Sequence, residues 1–248
     1  MTIRQCRALQ EPSHAPSISI VIPVYNEEAI LRASLIDLID RLAALGWSYE
    51  LILAENGSTD RTAALGRELS ERFEQVTSRH TDDANYGKAL RDAILHARGD
   101  IVICDEIDLC DTDFYSRALN MLEDPTVDFV VGSKTMVGAR DERPLYRRLG
   151  TRVINDLLRW TLGFQGTDTH GLKAFRRETT APIAGACLVD RDLFASELVI
   201  RAQRAGLEVR EIPVLVLEKR PPSVGLARRV PNVLKNLAKL FVAIRIKG

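Results

Sequence analysis

The sequence predicts an α/β fold: a doubly wound, mostly parallel sheet flanked by helices, with an amphipathic helix at the C-terminus. Three observations carry this. Strand-like runs at 17–25, 49–54 and 101–104 alternate with helix-like stretches, the pattern of successive βαβ units. The run Ile101-Val102-Ile103-Cys104 is apolar and β-branched without alternation, as a strand buried on both faces is. Three strand ends open into polar turns at 23–27, 55–60 and 106–111. In a parallel sheet such ends share one edge, where ligands of open α/β sheets bind. A chain of 248 residues suits one large domain with a small extension.

Residues 1–16 are polar, with Pro12 and Pro16, and read as a loose lead-in. Residues 17–25 form the first strand, ended by Pro23. Leu31, Leu35, Leu38, Ile39 and Leu42 then recur at helical spacing over 29–45. Glu27 and Glu28 suit the opening turn of that helix. A second strand at 49–54 leads through 55–60, which carries a plausible N-cap, into a helix ending at Leu69. A short third strand is expected near 75–78. Asn85-Tyr86-Gly87-Lys88 introduces a helix at 89–97, and 127–133 is a further strand. Residues 135–148, rich in Arg and Gly, predict a mobile loop. A helix at 149–162 follows, with Val153, Ile154, Leu157, Leu158 and Trp160. Then come a turn at 167–171, a helix at 194–205 and a late strand at 211–217. Pro221-Pro222 precedes the final helix.

Charge is balanced overall, 34 basic against 34 acidic residues, but unevenly placed. From Lys219 onward eight basic residues (Lys219, Arg220, Arg228, Arg229, Lys235, Lys239, Arg245, Lys247) meet no acid. Such a tail points to an anionic partner; no nucleic-acid partner is expected. Cys6, Cys104, Cys110 and Cys187 show no CxxC or zinc spacing, so reduced thiols in a cytosolic protein are expected. No leader with a basic start and apolar core appears, and no apolar run reaches the length of a membrane span.

Asp105, Glu106, Asp108 and Asp111 crowd the end of the central strand. Carboxylates so placed repel one another, and oxygen ligands at this spacing suit a hard divalent cation shared with substrate phosphates. The plain alternative is a solvated acidic turn. For Glu55 and Asp60 the alternative is helix capping. His170 lies in a turn of interest, though a lone histidine is more often structural. The chain has no GxGxxG or GxxxxGK[ST], and so neither a dinucleotide fingerprint nor a P-loop. It has no GxSxG elbow for a Ser/His/Asp hydrolase.

Ile22-Pro23-Val24-Tyr25-Asn26-Glu27-Glu28, Glu55-Asn56-Gly57-Ser58-Thr59-Asp60, Tyr86-Gly87 before a helix and Gly99-Asp100 before the acidic strand together resemble family 2 glycosyltransferases. These are GT-A-fold enzymes that use nucleotide-diphosphate sugars. Gly166-Thr167-Asp168-Thr169-His170-Gly171-Leu172-Lys173-Ala174-Phe175, Phe194-Ala195-Ser196-Glu197-Leu198 and the stretch 206–214 resemble the dolichyl- and polyprenyl-phosphate sugar transferase branch. The resemblance implies one GT-A domain over 17–220, with a nucleotide-sugar half at about 17–135 and an acceptor half at about 136–220. Residues 221–248 then form a basic amphipathic extension. Carried over by position, Pro23, Tyr25 and Glu27 border the base and ribose, Glu55 reaches the base, and Gly87 joins the nucleotide site. The family's Asp-X-Asp falls on Glu106-Ile107-Asp108: Glu replaces the first Asp, and Glu55-Asn56 replaces the usual Asp-Asp. A longer carboxylate can still reach a metal, and Asp105 is an alternative first ligand.

The resemblance thus implies an inverting hexosyltransferase with a UDP- or GDP-linked donor and a polyprenyl-phosphate acceptor, peripheral at the cytoplasmic face of the membrane. Mg²⁺ or Mn²⁺ at Asp108, helped by Glu106, neutralises the departing diphosphate. A lipid phosphate is already an anion and needs no general base. The cations available to hold it are Arg140, Arg143, Arg147, Arg148, Lys219 and Arg220; for the first four the alternative is a solvated basic loop. A hydroxyl acceptor instead requires a carboxylate base, for which Asp168 and Glu197 stand out, both also readable as structural. Another class of reading is a nucleotide-sugar-binding partner protein without turnover. A nucleotidyltransferase would need a Gly-rich loop where Tyr25-Asn26-Glu27-Glu28 stands. From Pro231 the residues Val233, Leu234, Leu237, Leu240, Phe241 and Ile244 form an apolar stripe. It predicts a helix lying in the membrane interface, or one packed on the domain or in homo-oligomer contacts.

Overall fold

The computed structural model describes residues 17–191, 193–216 and 226–246. In chain order the elements are β1 (Ile18–Val24), α1 (Leu31–Leu45), β2 (Tyr49–Asn56), α2 (Thr62–Arg72), β3 (Val76–Thr81), α3 (Tyr86–His96), β4 (Ile101–Cys104), α4 (Thr112–Leu122) and β5 (Phe129–Ser133). They continue with β6 (Arg140–Asp141), α5 (Leu145–Leu162), β7 (Lys173–Arg176), α6 (Arg177–Gly185), α7 (Phe194–Arg204), β8 (Val209–Pro213), β9 (Leu215–Val216) and α8 (Leu226–Phe241). Seven strands form one sheet in the order β3-β2-β1-β4-β7-β5-β8, and β6 pairs with β9.

The chain winds outward in both directions from the β1–β4 junction, which makes that junction the switch point of a doubly wound sheet. Adjacent residues of β1 and β2 serve opposite faces: Ile20, Ile22, Leu51 and Leu53 pack with α1, α2 and α4. Val21 and Ile52 pack with α3, α7 and the C-terminal helix. Two buried faces explain why these strands are continuously apolar.

Within the mostly parallel sheet that was expected, β7 is the exception, running antiparallel to both β4 and β5. Its reversal brings Lys173 to the C-terminal end of β4, opposite Cys104, and to the middle of β5, opposite Val131. Two helices were not foreseen. α4 is capped by Asp111, whose Oδ1 accepts from the Phe114 N–H at 2.9 Å. α6 carries Pro182 in its interior, which masks it in the sequence. The expected mobile loop at 135–148 holds β6 and the first turn of α5. The late strand breaks at Val214 into β8 and β9.

The C-terminal helix forms as expected but is used differently. Val233 and Leu237 face Ile154, Leu157, Leu158 and Leu193, and Leu240 and Ile244 are buried in the same core. Lys239 Nζ donates to the Leu188 carbonyl at 2.8 Å, and Arg245 Nε to that of Thr161 at 3.1 Å. This corrects the interfacial expectation for these residues: the apolar atoms of Val233, Leu237, Leu240 and Ile244 are consumed closing the domain. No described helix is long and apolar enough to cross a membrane.

Candidate active site

The ends of β1 and β2 are stitched together side chain to main chain. Asn26 takes a left-handed conformation (φ 54°), which Asn tolerates better than most residues. Its N–H donates to Ser58 Oγ at 3.0 Å and its Oδ1 accepts from the Thr59 N–H at 2.8 Å. The Glu27 N–H donates to Thr62 Oγ1 at 2.7 Å, the Glu28 N–H to Asp60 Oδ2 at 3.2 Å, and the Arg61 N–H to Glu28 Oε2 at 3.0 Å. Glu55 is buried; Oε1 accepts from the Ser58 N–H at 2.6 Å, and Oε2 pairs with His80 Nδ1. Asn56 Oδ1 accepts from the Asn85 N–H, tying this turn to α3. Pro23, Tyr25 and Glu27 stay partly exposed along the edge. Gly87 is buried, and a Cβ there would fall 2.0 Å from the Asp190 carbonyl oxygen. It serves close packing of α3 against the segment before α7.

The acidic turn lies at the switch point. Asp105 is its organiser: Oδ1 accepts from the Glu106 N–H at 2.5 Å, and Oδ2 from the Asp111 N–H at 2.8 Å and Tyr115 Oη at 2.5 Å. Burial pushes its carboxyl up to about 7 against those donors. With its lone pairs directed inward, Asp105 does not serve as the alternative first metal ligand. Glu106 keeps an exposed surface, yet desolvation by the surrounding protein, then the Asp108 charge, raise its carboxyl above the ordinary range. Lys134, Lys173 and Arg147 act on it in the opposite sense, so four elements meet here. The Tyr86 phenol, at the start of α3, is raised by desolvation and then by Glu106, which sets it against the same turn.

Beside the acids stands a buried ion pair. Lys134 follows β5, and its Nζ lies 2.8 Å from Asp168 Oδ2, with side chains 6% and 0% exposed. Asp168 Oδ1 also accepts from the His170 N–H at 2.9 Å. Burial alone would raise the Asp168 carboxyl, but the Lys134 ammonium overrides it and holds the group well below the ordinary carboxylate range. Glu211 of β8 fixes the turn from below, accepting from the Thr167 N–H at 2.7 Å and the Asp168 N–H at 3.1 Å. A Cβ on Gly171 would lie 1.7 Å from the Gly132 oxygen, so only glycine lets this turn press onto β5. Lys173 is buried, donates from Nζ to the Gly171 carbonyl at 2.7 Å, and is lowered to about 8 by burial. Lys134 and Lys173 were missed in the sequence. Their signal was faint: one lysine closing an apolar run, and one inside Leu172-Lys173-Ala174-Phe175.

The other expected residues lie elsewhere. Glu197 is fully buried in α7; it accepts from the Leu188 N–H at 2.9 Å, the Val189 N–H at 2.7 Å and Arg201 Nε at 2.7 Å. These bonds pin the segment before α7 and leave the carboxylate outside the acidic turn. Arg143 is forked onto Asp141, with Nε–Oδ1 at 2.8 Å and Nη2–Oδ2 at 2.7 Å. Arg140 faces Glu142 at 3.7 Å. Of the four loop arginines, Arg147 is the one whose charge reaches Glu106. Lys219 and Arg220 lie outside the described residues.

The pattern of Glycosyl transferase family 2 matches residues 19–194. The chain belongs to that family. It is 29% identical over 238 residues to "Glycosyltransferase AglD" of Haloferax volcanii, covering 92% of this chain and 38% of the relative. It is 33% identical over 165 residues to an undecaprenyl-phosphate 4-deoxy-4-formamido-L-arabinose transferase of Edwardsiella ictaluri, covering 64% and 49%. The chain therefore spans less than half the length of these two relatives. Among solved structures, glucosyl-3-phosphoglycerate synthase from Mycobacterium tuberculosis with UDP superposes at a TM-score of 0.63 and 21% identity, over 92% of this chain and 79% of that one. The same enzyme with Mn²⁺, UDP-glucose and phosphoglyceric acid gives 0.63 and 20% over the same shares. The likeness establishes the GT-A architecture expected from the sequence.

Proposed function

We propose that the chain transfers a hexose from a nucleotide-diphosphate sugar to a polyprenyl-phosphate acceptor, acting from the cytoplasmic side at the membrane surface. The observation that carries the acceptor class is the Lys134–Asp168 pair. A hydroxyl acceptor needs a carboxylate that can take a proton. Asp168 is held ionised and enclosed by Lys134, and Glu197 is occupied by main-chain donors. A phosphate acceptor needs no base, only cations, and Lys134, Lys173 and Arg147 surround the acidic turn. Arg148, Lys219 and Arg220 belong to the same reading as outer contacts for the lipid phosphate.

The residues present fit a divalent cation. Glu106 and Asp108 share one strand end, where the Asp108 charge helps to raise the Glu106 carboxyl, a repulsion that a cation relieves. Among the described residues no group of three or more His, Cys, Asp or Glu forms a metal cage. Two protein carboxylates are what Mg²⁺ or Mn²⁺ uses when diphosphate oxygens complete its shell. Such an ion supplies charge neutralisation for the leaving diphosphate. Pro23, Tyr25 and Glu27 border the nucleotide, and Glu55 with Gly87 shape that side by holding its turns. Relatives named for transfer to undecaprenyl phosphate and to dolichyl phosphate support the lipid acceptor.

The test is a panel of UDP- and GDP-sugars incubated with the full chain and polyprenyl phosphate, with Mg²⁺, Mn²⁺ or chelator. Glycosyl-polyprenyl phosphate is expected, and Asp108→Asn is expected to lower its formation roughly 10²–10³-fold without a change in melting temperature. Transfer to a hydroxyl acceptor alone, or nucleotide-sugar binding with no transfer, overturns the proposal. Full activity of Asp108→Asn in chelator removes the metal site.

A further inference from the structure

We infer that the outer face of α5 seats the protein on an anionic phospholipid surface at the rim of the crevice. Leu145, Leu149, Val153 and Trp160 are 77%, 62%, 49% and 86% exposed. Steps of four, four and seven residues keep them on one side of the helix. Tyr146 is exposed on the same flank. The opposite side of α5 carries the buried Asn155, Leu158 and Leu162. Helix propensity does not require apolar residues on the outer face, and an exposed stripe of this length marks an interaction surface.

The occupant is indicated by charge. α5 holds four arginines against one aspartate. Arg159 is committed to Asp156 and to the Gly166 carbonyl. Arg148 and Arg152, one turn apart, run along the edge of the apolar stripe and form no ion pair among the described residues. An apolar stripe edged by guanidinium groups, with Tyr146 near one end and Trp160 near the other, matches the layering of a bilayer surface: acyl chains, then phosphates. A second copy of the chain is disfavoured, because a two-fold contact through this face would oppose arginine to arginine. The helix is too charged to cross a bilayer. Its first turn also carries Arg147, whose charge reaches Glu106, so a surface beneath α5 borders the acidic turn. The lipid-acceptor reading gives this docking its purpose, but the binding is measured without donor or acceptor, so each can fail alone.

The chain has two tryptophans, and Trp47 packs on the core. A Trp47→Phe variant therefore makes Trp160 the reporter. Vesicles of phosphatidylcholine with phosphatidylglycerol are expected to shift its emission to the blue and to carry the full chain upward in flotation. Pure phosphatidylcholine or raised salt is expected to weaken both. Leu149→Ser with Val153→Ser, at exposed positions, is expected to weaken vesicle binding roughly tenfold or more with an unchanged melting temperature. Flotation that persists undiminished in that double variant overturns the inference, because another part of the chain then holds the membrane. So does an unshifted Trp160 emission. Self-association abolished by Trp160→Ala, without vesicle binding, overturns it in favour of a second copy.

Discussion

The two sides of the crevice are held by different forces. On the β1–β2 side, turns meet through main-chain N–H groups and short polar side chains: Asn26 with Ser58 and Thr59, Glu27 with Thr62, Glu28 with Asp60 and Arg61. On the β4–β7–β5 side the fixed points are buried ions, Lys134 against Asp168 and Lys173 on the Gly171 carbonyl. Hydrogen-bonded turns lose about 1 kcal/mol when one bond is removed. A buried ion that loses its partner leaves a charge that neither water nor protein solvates. The β1–β2 side is thus graded in its response to mutation, and the β4–β7–β5 side is close to all-or-none.

The sharpest way to break this contrast is Lys134→Met. It strands the Asp168 carboxylate at 0% exposure and is expected to destabilise the fold by about 3–5 kcal/mol, read by denaturant unfolding. The sign with pH follows from the depressed Asp168 carboxyl. In the parent chain its contribution is present above the ordinary aspartate range and lost as pH falls. The variant loses that acid-side dependence. A loss below 1 kcal/mol would mean that the pair is no anchor.

The β1–β2 side predicts a smaller response. Glu55→Ala removes the acceptor of the Ser58 N–H and the partner of His80, at an expected loss of about 1–3 kcal/mol. Nucleotide affinity is expected to fall with it, because the loosened turn borders Tyr25 and Glu27. Glu55→Gln keeps an acceptor oxygen and recovers most of both. Melting curves and nucleotide titrations of the two variants check this. Full nucleotide affinity in Glu55→Ala would detach the turn from the site.

The same contrast explains what could be read from the sequence. The β1–β2 side is built from contiguous stretches, 22–28 and 55–60, whose polar residues act within their own turn or the adjacent one, so their place at strand ends was legible, and the family resemblance supplied their expected role. The acidic turn is also local. The β4–β7–β5 side depends on β7 running backwards between β4 and β5, and no local pattern announces which strands a short run such as Lys173–Arg176 will join. Lys134 and Asp168 meet only because of that insertion. Periodicity was likewise ambiguous about faces. It marked Val153, Ile154, Leu158 and Trp160 together as the apolar content of one helix. Ile154 and Leu158 pack inward, whereas Val153 and Trp160 face out. In α8 it showed an apolar stripe correctly, but the cover for that stripe is α5 and Leu193, which only the tertiary fold supplies.

The smallest expected effect separates charge from packing at Lys173. Burial lowers its ammonium to about 8, so the group loses its proton within an accessible range. If its charge helps hold a phosphate beside Glu106, transfer falls as pH rises through about 8. Stability moves the other way. The folded pKa lies below the model-peptide value, so between about 8 and 10.5 the unfolded chain binds more protons. Stability then rises with pH, at a slope of at most about 1.4 kcal/mol per pH unit. Opposite trends in activity and stability over one window cannot come from partial unfolding. Lys173→Arg keeps the charge at all these pH values and is expected to remove the alkaline limb of the activity profile while retaining measurable transfer near neutrality. An unchanged limb in Lys173→Arg assigns it to another group and leaves Lys173 as a packing residue bonded to Gly171.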